Sequence, residues 1–189
     1  MSDAKGITVL GICGSLRKGS YNMAALRTAI EVKPPSMTIE VADISAFPLY
    51  NEDVRAQGFP PPVEKLRQQI KAADALLFAT PEYNYSMSGV LKNAIDWASR
   101  PPDQPFAGKP AAIMGAGAGM AGTAHAQGDL RRACVFLDVR PINKPEVRIG
   151  QAHTKFDANG ALTDDATRGF IRDMLVALES WTRQISLKN

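Results

Sequence analysis

The sequence predicts a doubly wound α/β domain, and three observations predict it. Short apolar runs without a charged residue recur along the chain. Ile7–Cys13 and Ala75–Ala79 are the purest, and such runs read as strands buried on both faces of a mostly parallel sheet. Stretches with apolar residues at helical spacing alternate with these runs. A loop rich in glycine, hydroxyl and basic residues, Gly14 to Asn22, joins the first strand to the first helix. Open α/β sheets place their ligand-binding loops at that edge.

The first strand feeds a helix whose Met23, Leu26, Ala29 and Ile30 share one face, and Lys33-Pro-Pro-Ser36 ends it. Met37–Ala42 alternates and reads as a second, more exposed strand. Asp43 to Pro62 is a connection long enough to be functional or used in association, or it is an ordered surface loop. After the prolines at 60–62, a second helix carries Val63, Leu66, Ile70 and Ala73. Ala75–Ala79 is the third strand and runs into Thr80-Pro-Glu-Tyr-Asn-Tyr-Ser86. Ser88 is placed to cap a third helix with Leu91, Ala94, Ile95 and Ala98 on one face, and Pro101-Pro102 stops it. Ala111–Met114 is a fourth strand, followed by Gly115-Ala-Gly-Ala-Gly-Met-Ala-Gly122 and an amphipathic stretch with Leu130, Cys134 and Leu137. Glu146–Ile149 is a short fifth strand, and Asn159-Gly160 between Phe156 and Leu162 signals a small hairpin. Thr163 is expected to cap the last helix, with Phe170, Met174, Leu178, Trp181 and Ile185 on its buried side. No repeat, low-complexity segment or linker divides the chain, so residues 1–189 are expected to form one domain.

Composition excludes several classes of function. The net charge of +3 comes from 22 basic and 19 acidic residues with no long basic run, which leaves no nucleic-acid footprint. No apolar run approaches a membrane span, and Met1 to Gly6 lacks the apolar core of a signal peptide. Cys13 and Cys134 form no CxxC, and the two isolated thiols suit a reducing cytoplasm, each packed as a small apolar residue. His125 and His153 have no cysteine or carboxylate in ligand spacing, so no metal site is expected. There is no Gly-x-Ser-x-Gly elbow.

Three loops at the carboxyl edge of the sheet carry the candidate chemistry. In the first, Gly14 and Gly19 have Walker A spacing, but Ser20 follows Gly19 directly and the motif's lysine is absent. What remains is a cradle for one terminal phosphate, made of backbone N–H groups, a helix N-terminus, Ser15, Ser20, Asn22 and the charges of Arg17 and Lys18. The plainer alternative is a capped strand-to-helix turn. The second loop places Tyr83 and Tyr85 among polar residues after Pro81, where backbone N–H groups can meet the edge of a heteroaromatic ring. The third contains a literal GxGxxG, Gly117 to Gly122, but only one strand follows it, which argues against a dinucleotide fingerprint. Its small residues either let a flat ligand press on the backbone or form a flexible turn. A phosphate at the first loop and a planar ring between the other two describe FMN.

Gly14-Ser-Leu-Arg-Lys-Gly-Ser-Tyr-Asn22, Pro81-Glu-Tyr-Asn-Tyr-Ser86, Gly89-Val-Leu-Lys-Asn-Ala-Ile-Asp-Trp97 and Pro48-Leu-Tyr-Asn-Glu-Asp53 resemble the NADPH-dependent FMN reductases, in the branch of quinone, chromate and ferric reductases. The resemblance implies a flavodoxin-like fold with five parallel strands in the order 2-1-3-4-5. It implies that Ser15, Leu16, Arg17, Ser20, Tyr21 and Asn22 hold the FMN phosphate, and that Pro81, Glu82, Tyr83, Asn84 and Tyr85 border the isoalloxazine ring. Relatives often carry serine or threonine where this chain has Gly115-Ala-Gly-Ala118, so Ala116, Gly117 and Ala118 would meet the ring through the backbone. Homodimers or tetramers are also implied. The corresponding reaction passes hydride from NADH or NADPH to flavin N5, then electrons to a quinone, flavin, ferric chelate or chromate at the same site. Such chemistry belongs to the cofactor, and no side chain is named as catalytic. The rival reading is a flavodoxin-like electron carrier serving a protein partner. Carriers of that kind are strongly acidic, which the mild positive charge opposes.

Overall fold

The computed structural model describes residues 6–187. Six strands form one sheet: β1 (Ile7–Cys13), β2 (Met37–Ala42), β3 (Ala75–Ala79), β6 (Pro110–Ala116), β7 (Arg140–Pro141) and β8 (Val147–Ile149). The order is β2-β1-β3-β6, and both β7 and β8 lie parallel on the far side of β6. The expected order 2-1-3-4-5 therefore holds, with the fifth place shared by two short segments. Pro141 and Pro145 explain the break, because proline has no N–H for a ladder. The fourth strand is also longer than its apolar run, continuing through Gly115 and Ala116.

Successive strand residues point to opposite faces, and each face has its own helices. On one side Val9, Leu77, Ala112 and Met114 meet α1 (Tyr21–Val32) and α6 (Asp165–Ser186). On the other, Leu10, Ile12, Leu76, Phe78 and Ile113 meet α3 (Pro61–Ala72), α4 (Gly89–Ala98) and α5 (Ala124–Leu137). Alanines 24, 25 and 29, all buried, let α1 approach the sheet closely beside the first loop.

The long connection after β2 contains a four-residue helix, α2 (Glu52–Arg55), and docks on α4. Asn93 Nδ2 and Trp97 Nε1 both donate to the Pro48 carbonyl, at 2.8 and 2.9 Å. The segment after Pro81 folds as an antiparallel hairpin of β4 (Glu82–Tyr83) and β5 (Ser86–Met87). Its turn residues Asn84 and Tyr85 have φ of 52° and 62°, the double left-handed geometry of a type I′ turn. The Asn159-Gly160 hairpin forms, with Phe156 and Leu162 paired antiparallel. Two expectations at α6 fail. Asp164, not Thr163, caps it by accepting the Thr167 N–H, while the Thr163 hydroxyl donates to Lys155 O instead. Phe170 is exposed, since Ile171, Met174, Leu175 and Leu178 set the buried stripe one residue away from it. Among the described residues, no helix is long and apolar enough to cross a membrane.

Candidate functional site

The first loop begins where β1 leaves the sheet. Gly14 still donates to Ala79 O (2.8 Å), and a Cβ there would stand 2.9 Å from Ser88 Oγ. Ser88 caps α4 by accepting the Leu91 N–H and itself donates to Gly14 O at 2.6 Å, so one hydroxyl ties the first loop to the second. The chain then turns, with Ser20 N–H on Arg17 O, and Ser20 Oγ caps α1 by accepting the Met23 N–H at 3.2 Å. Among the described residues, the backbone N–H groups of residues 15–19, 21 and 22 find no protein acceptor. These donors, with the helix N-terminus behind them, make a site for an anion. Arg17 is exposed on its rim, its guanidinium 5.4 Å from the Tyr21 ring centroid, and Tyr21 rests on Phe156.

The third loop is built differently. A Cβ on Gly115 would collide with Thr123 Oγ1 and the Thr80 carbonyl, and one on Gly117 would stand 2.7 Å from the Gly122 carbonyl. Gly115 and Gly117 thus make room for the protein's own chain, because residues 119–123 fold back on 115–117. The N-terminus of α5 is closed as well. Glu82 Oε2 accepts the N–H groups of His125 (2.9 Å) and Ala126 (3.1 Å), while Oε1 lies 3.1 Å from His125 Nδ1. Desolvation pushes the Glu82 carboxyl up, but the amides of Ala126 and His125 and the His125 ring outweigh it and leave the pKa below the ordinary carboxylate value.

Around these pieces closes a cleft of about 250 Å3 lined by Ser15, Arg17, Ser20, Tyr21, Asn22, Pro81, Glu82, Tyr83, Ala116, Gly117 and Ala118. The three loops singled out in the sequence thus share one cavity. Leu16, Asn84 and Tyr85 are not in its wall. Leu16 is exposed on the outer side of the first loop, and Asn84 and Tyr85 form the hairpin tip, where Tyr85 packs on His125 with ring centroids 4.5 Å apart. Asn22 and Glu82 line the cleft, yet their side chains are spent within the protein. Asn22 Nδ2 donates to Ala116 O (3.0 Å) and its Oδ1 accepts the Ala116 N–H (2.9 Å). Glu82 is occupied as the cap of α5. Ser88 and Asp129, which accepts the Ser86 hydroxyl, were not legible as parts of the frame. Ser88 carried a signal only as a helix cap, and Asp129 carried none.

Both thiols are free and buried. Burial pushes Cys13 up, and pushes Cys134 to about 11. Among the described residues, no group of three or more His, Cys, Asp or Glu side chains is placed to hold a metal ion.

A family model for NADPH-dependent FMN reductase matches residues 7–154. The chain belongs to that family. It is 67% identical over 185 residues to an NAD(P)H-dependent FMN reductase of Pseudomonas aeruginosa, covering 98% of this chain and 99% of the relative. It is 42% identical to the quinone reductase of Escherichia coli, covering 96% and 98%. Among solved structures, a flavoenzyme NAD(P)H:(acceptor) oxidoreductase from Paracoccus denitrificans superposes with a TM-score of 0.85 at 36% identity, covering 94% of this chain and 98% of that one.

Proposed function

We propose that this FMN reductase-family protein is an NAD(P)H:acceptor oxidoreductase that uses FMN to reduce quinones, and that it also accepts flavins, ferric chelates or chromate. One observation carries the reading: unpartnered backbone donors at the start of α1 open into the same cleft as the Pro81–Tyr83 and Ala116–Ala118 walls. The donor set fits FMN. Amides 15–19, 21 and 22, with Ser15 and Arg17, suit a dianionic phosphate, and the backbone of the two walls suits the edge of a flat ring. Family membership and the reductases among its relatives support the same assignment.

When bound, FMN supplies two-electron chemistry, taking hydride from NAD(P)H and delivering electrons to the acceptor. The protein's part is to bind, orient and exclude. Arg17 neutralises the phosphate, while Tyr83, 56% exposed, leaves an open side for nicotinamide and acceptor in turn. Glu82 adds no free negative charge beside the ring, because the start of α5 already balances it. The reading extends to a homodimer or tetramer, supported by the exposed apolar side chains Val135 and Phe136 on α5, and to a cytoplasmic location, supported by the two free thiols.

The test is the visible spectrum of the purified protein with FMN, before and after anaerobic NADPH or NADH. A flavin band that bleaches fully and returns on adding a quinone is the expected result. A flavin band untouched by either nucleotide, yet reduced by a redox protein, would favour the electron carrier.

A further inference from the structure

We infer that Asn22 is a positioning residue that sets the distance between the phosphate cradle and the ring-facing wall, and that its side chain does not hold the phosphate. The inference rests on the flavin reading above and deepens it.

The argument begins with the sheet. β3 ends at Ala79, paired with Met114, and only the Thr80 N–H reaches Met114 O beyond it. On the other side of β6, Ala116 is in register with Ile149. In parallel pairing a residue's own N–H and C=O both point to one neighbour. Gly117 N–H reaches Ile149 O, so the N–H and C=O of Ala116 face the side where β3 has run out. Two polar groups of a residue 3% exposed would be left unpaired there, and buried unpaired polar groups are destabilising.

Asn22 takes the place of the missing strand. Its carboxamide presents one donor and one acceptor, as a peptide group does, and binds both groups of Ala116 across 94 residues of sequence. Asn22 is itself 3% exposed. It stands in the first turn of α1, whose N–H groups form the cradle. One side chain therefore joins the helix that would meet the phosphate to the strand end that would meet the ring. Ser88 on Gly14 O and Glu82 on the start of α5 link the remaining pairs of loops. Asn22 is the link that ties both ends of a flavin to a single distance.

The two possible roles separate when FMN is compared with riboflavin, which has the ring and no phosphate. Both flavins are titrated into apo wild type, Arg17→Ala, Asn22→Ala and Asn22→Ser, with thermal midpoints of the apo proteins measured alongside. Arg17→Ala is expected to weaken FMN about ten- to a hundredfold and to leave riboflavin unchanged. Asn22→Ala is expected to weaken both flavins by a similar factor, on the order of tenfold, and to shift the visible band of the bound ring. Asn22→Ser leaves a small polar group that is one bond too short for the Ala116 N–H and carries the same expectation with a smaller loss, which covers the case in which alanine prevents folding. Weakening of FMN alone in the Asn22 variants would place the side chain at the phosphate and overturn the inference. A lowered midpoint with both affinities intact would make Asn22 a structural staple and overturn it equally. Wild type that binds neither flavin would instead remove the flavin reading itself, and the inference with it.

Discussion

The first and third loops look alike in sequence and behave oppositely in the structure. Both are glycine-rich, both follow a sheet strand and both lead into a helix. In Gly14 to Asn22 the N–H groups of residues 15–19, 21 and 22 stay unpartnered, and in the first turn of α1 Ser20 engages only the Met23 N–H. In Gly115 to Gly122 the space beside Gly115, Gly117 and Gly122 is taken by the protein's own chain, and the end of α5 is capped by Glu82. A glycine-rich strand-to-helix loop is thus an anion site only where its amides and helix terminus remain free. Glycine spacing alone does not tell the two apart.

The largest expected effect comes from adding one methyl group to each loop. Gly115→Ala drives a Cβ into the Thr80 carbonyl and Thr123, and is expected to cost about 3 kcal/mol of stability or to prevent folding. Gly19→Ala meets only the flexible end of Arg17 at 3.4 Å, and should change stability by no more than about 0.5 kcal/mol. Paired denaturant curves check this, and equal losses at the two sites would erase the contrast.

Next in size is Arg17→Ala, with an expected loss of about 1.5–3 kcal/mol in FMN binding. Fluorescence titration measures it, and unchanged affinity would take Arg17 out of the phosphate site. Ser20→Ala removes the cap of α1 and should lower stability by about 1 kcal/mol in chemical denaturation. A neutral result there would mean that the helix end needs no side-chain partner.

Glu82→Gln is the mildest. The folded-state pKa of Glu82 lies below its unfolded value, so its contribution is fully present above the unfolded carboxylate pKa and is lost as pH falls through the folded one. The variant should lose less than about 1 kcal/mol at neutral pH and show a shallower acid decline in stability than wild type. Parallel acid limbs in the two proteins would show that the carboxylate charge does not stabilise the start of α5.

Most of the frame was legible because it rests on local pattern. β1 and β3 are uncharged runs, Ser88 stands three residues before the apolar spacing that begins at Leu91, and Asn159-Gly160 is a strong turn signal. The misses share a cause: each depends on a distant partner. Gly115 and Ala116 read as loop because their strand character comes from pairing with β8. The hairpin of β4 and β5 stayed hidden because Asn84-Tyr85 lacks the glycine that usually marks a type I′ turn. Asn22 and Glu82 carry the right chemistry to touch a ligand, and only the folded chain shows that Ala116 and the start of α5 have already engaged them.

A crystal structure of the FMN complex tests the contrast between the loops most directly. The account predicts the phosphate within hydrogen-bond reach of amides in residues 15–22, the ring between Pro81–Tyr83 and Ala116–Ala118, and the Asn22 carboxamide still on Ala116. A phosphate seated on residues 117–123, or on the start of α5 with Glu82 displaced, would contradict it.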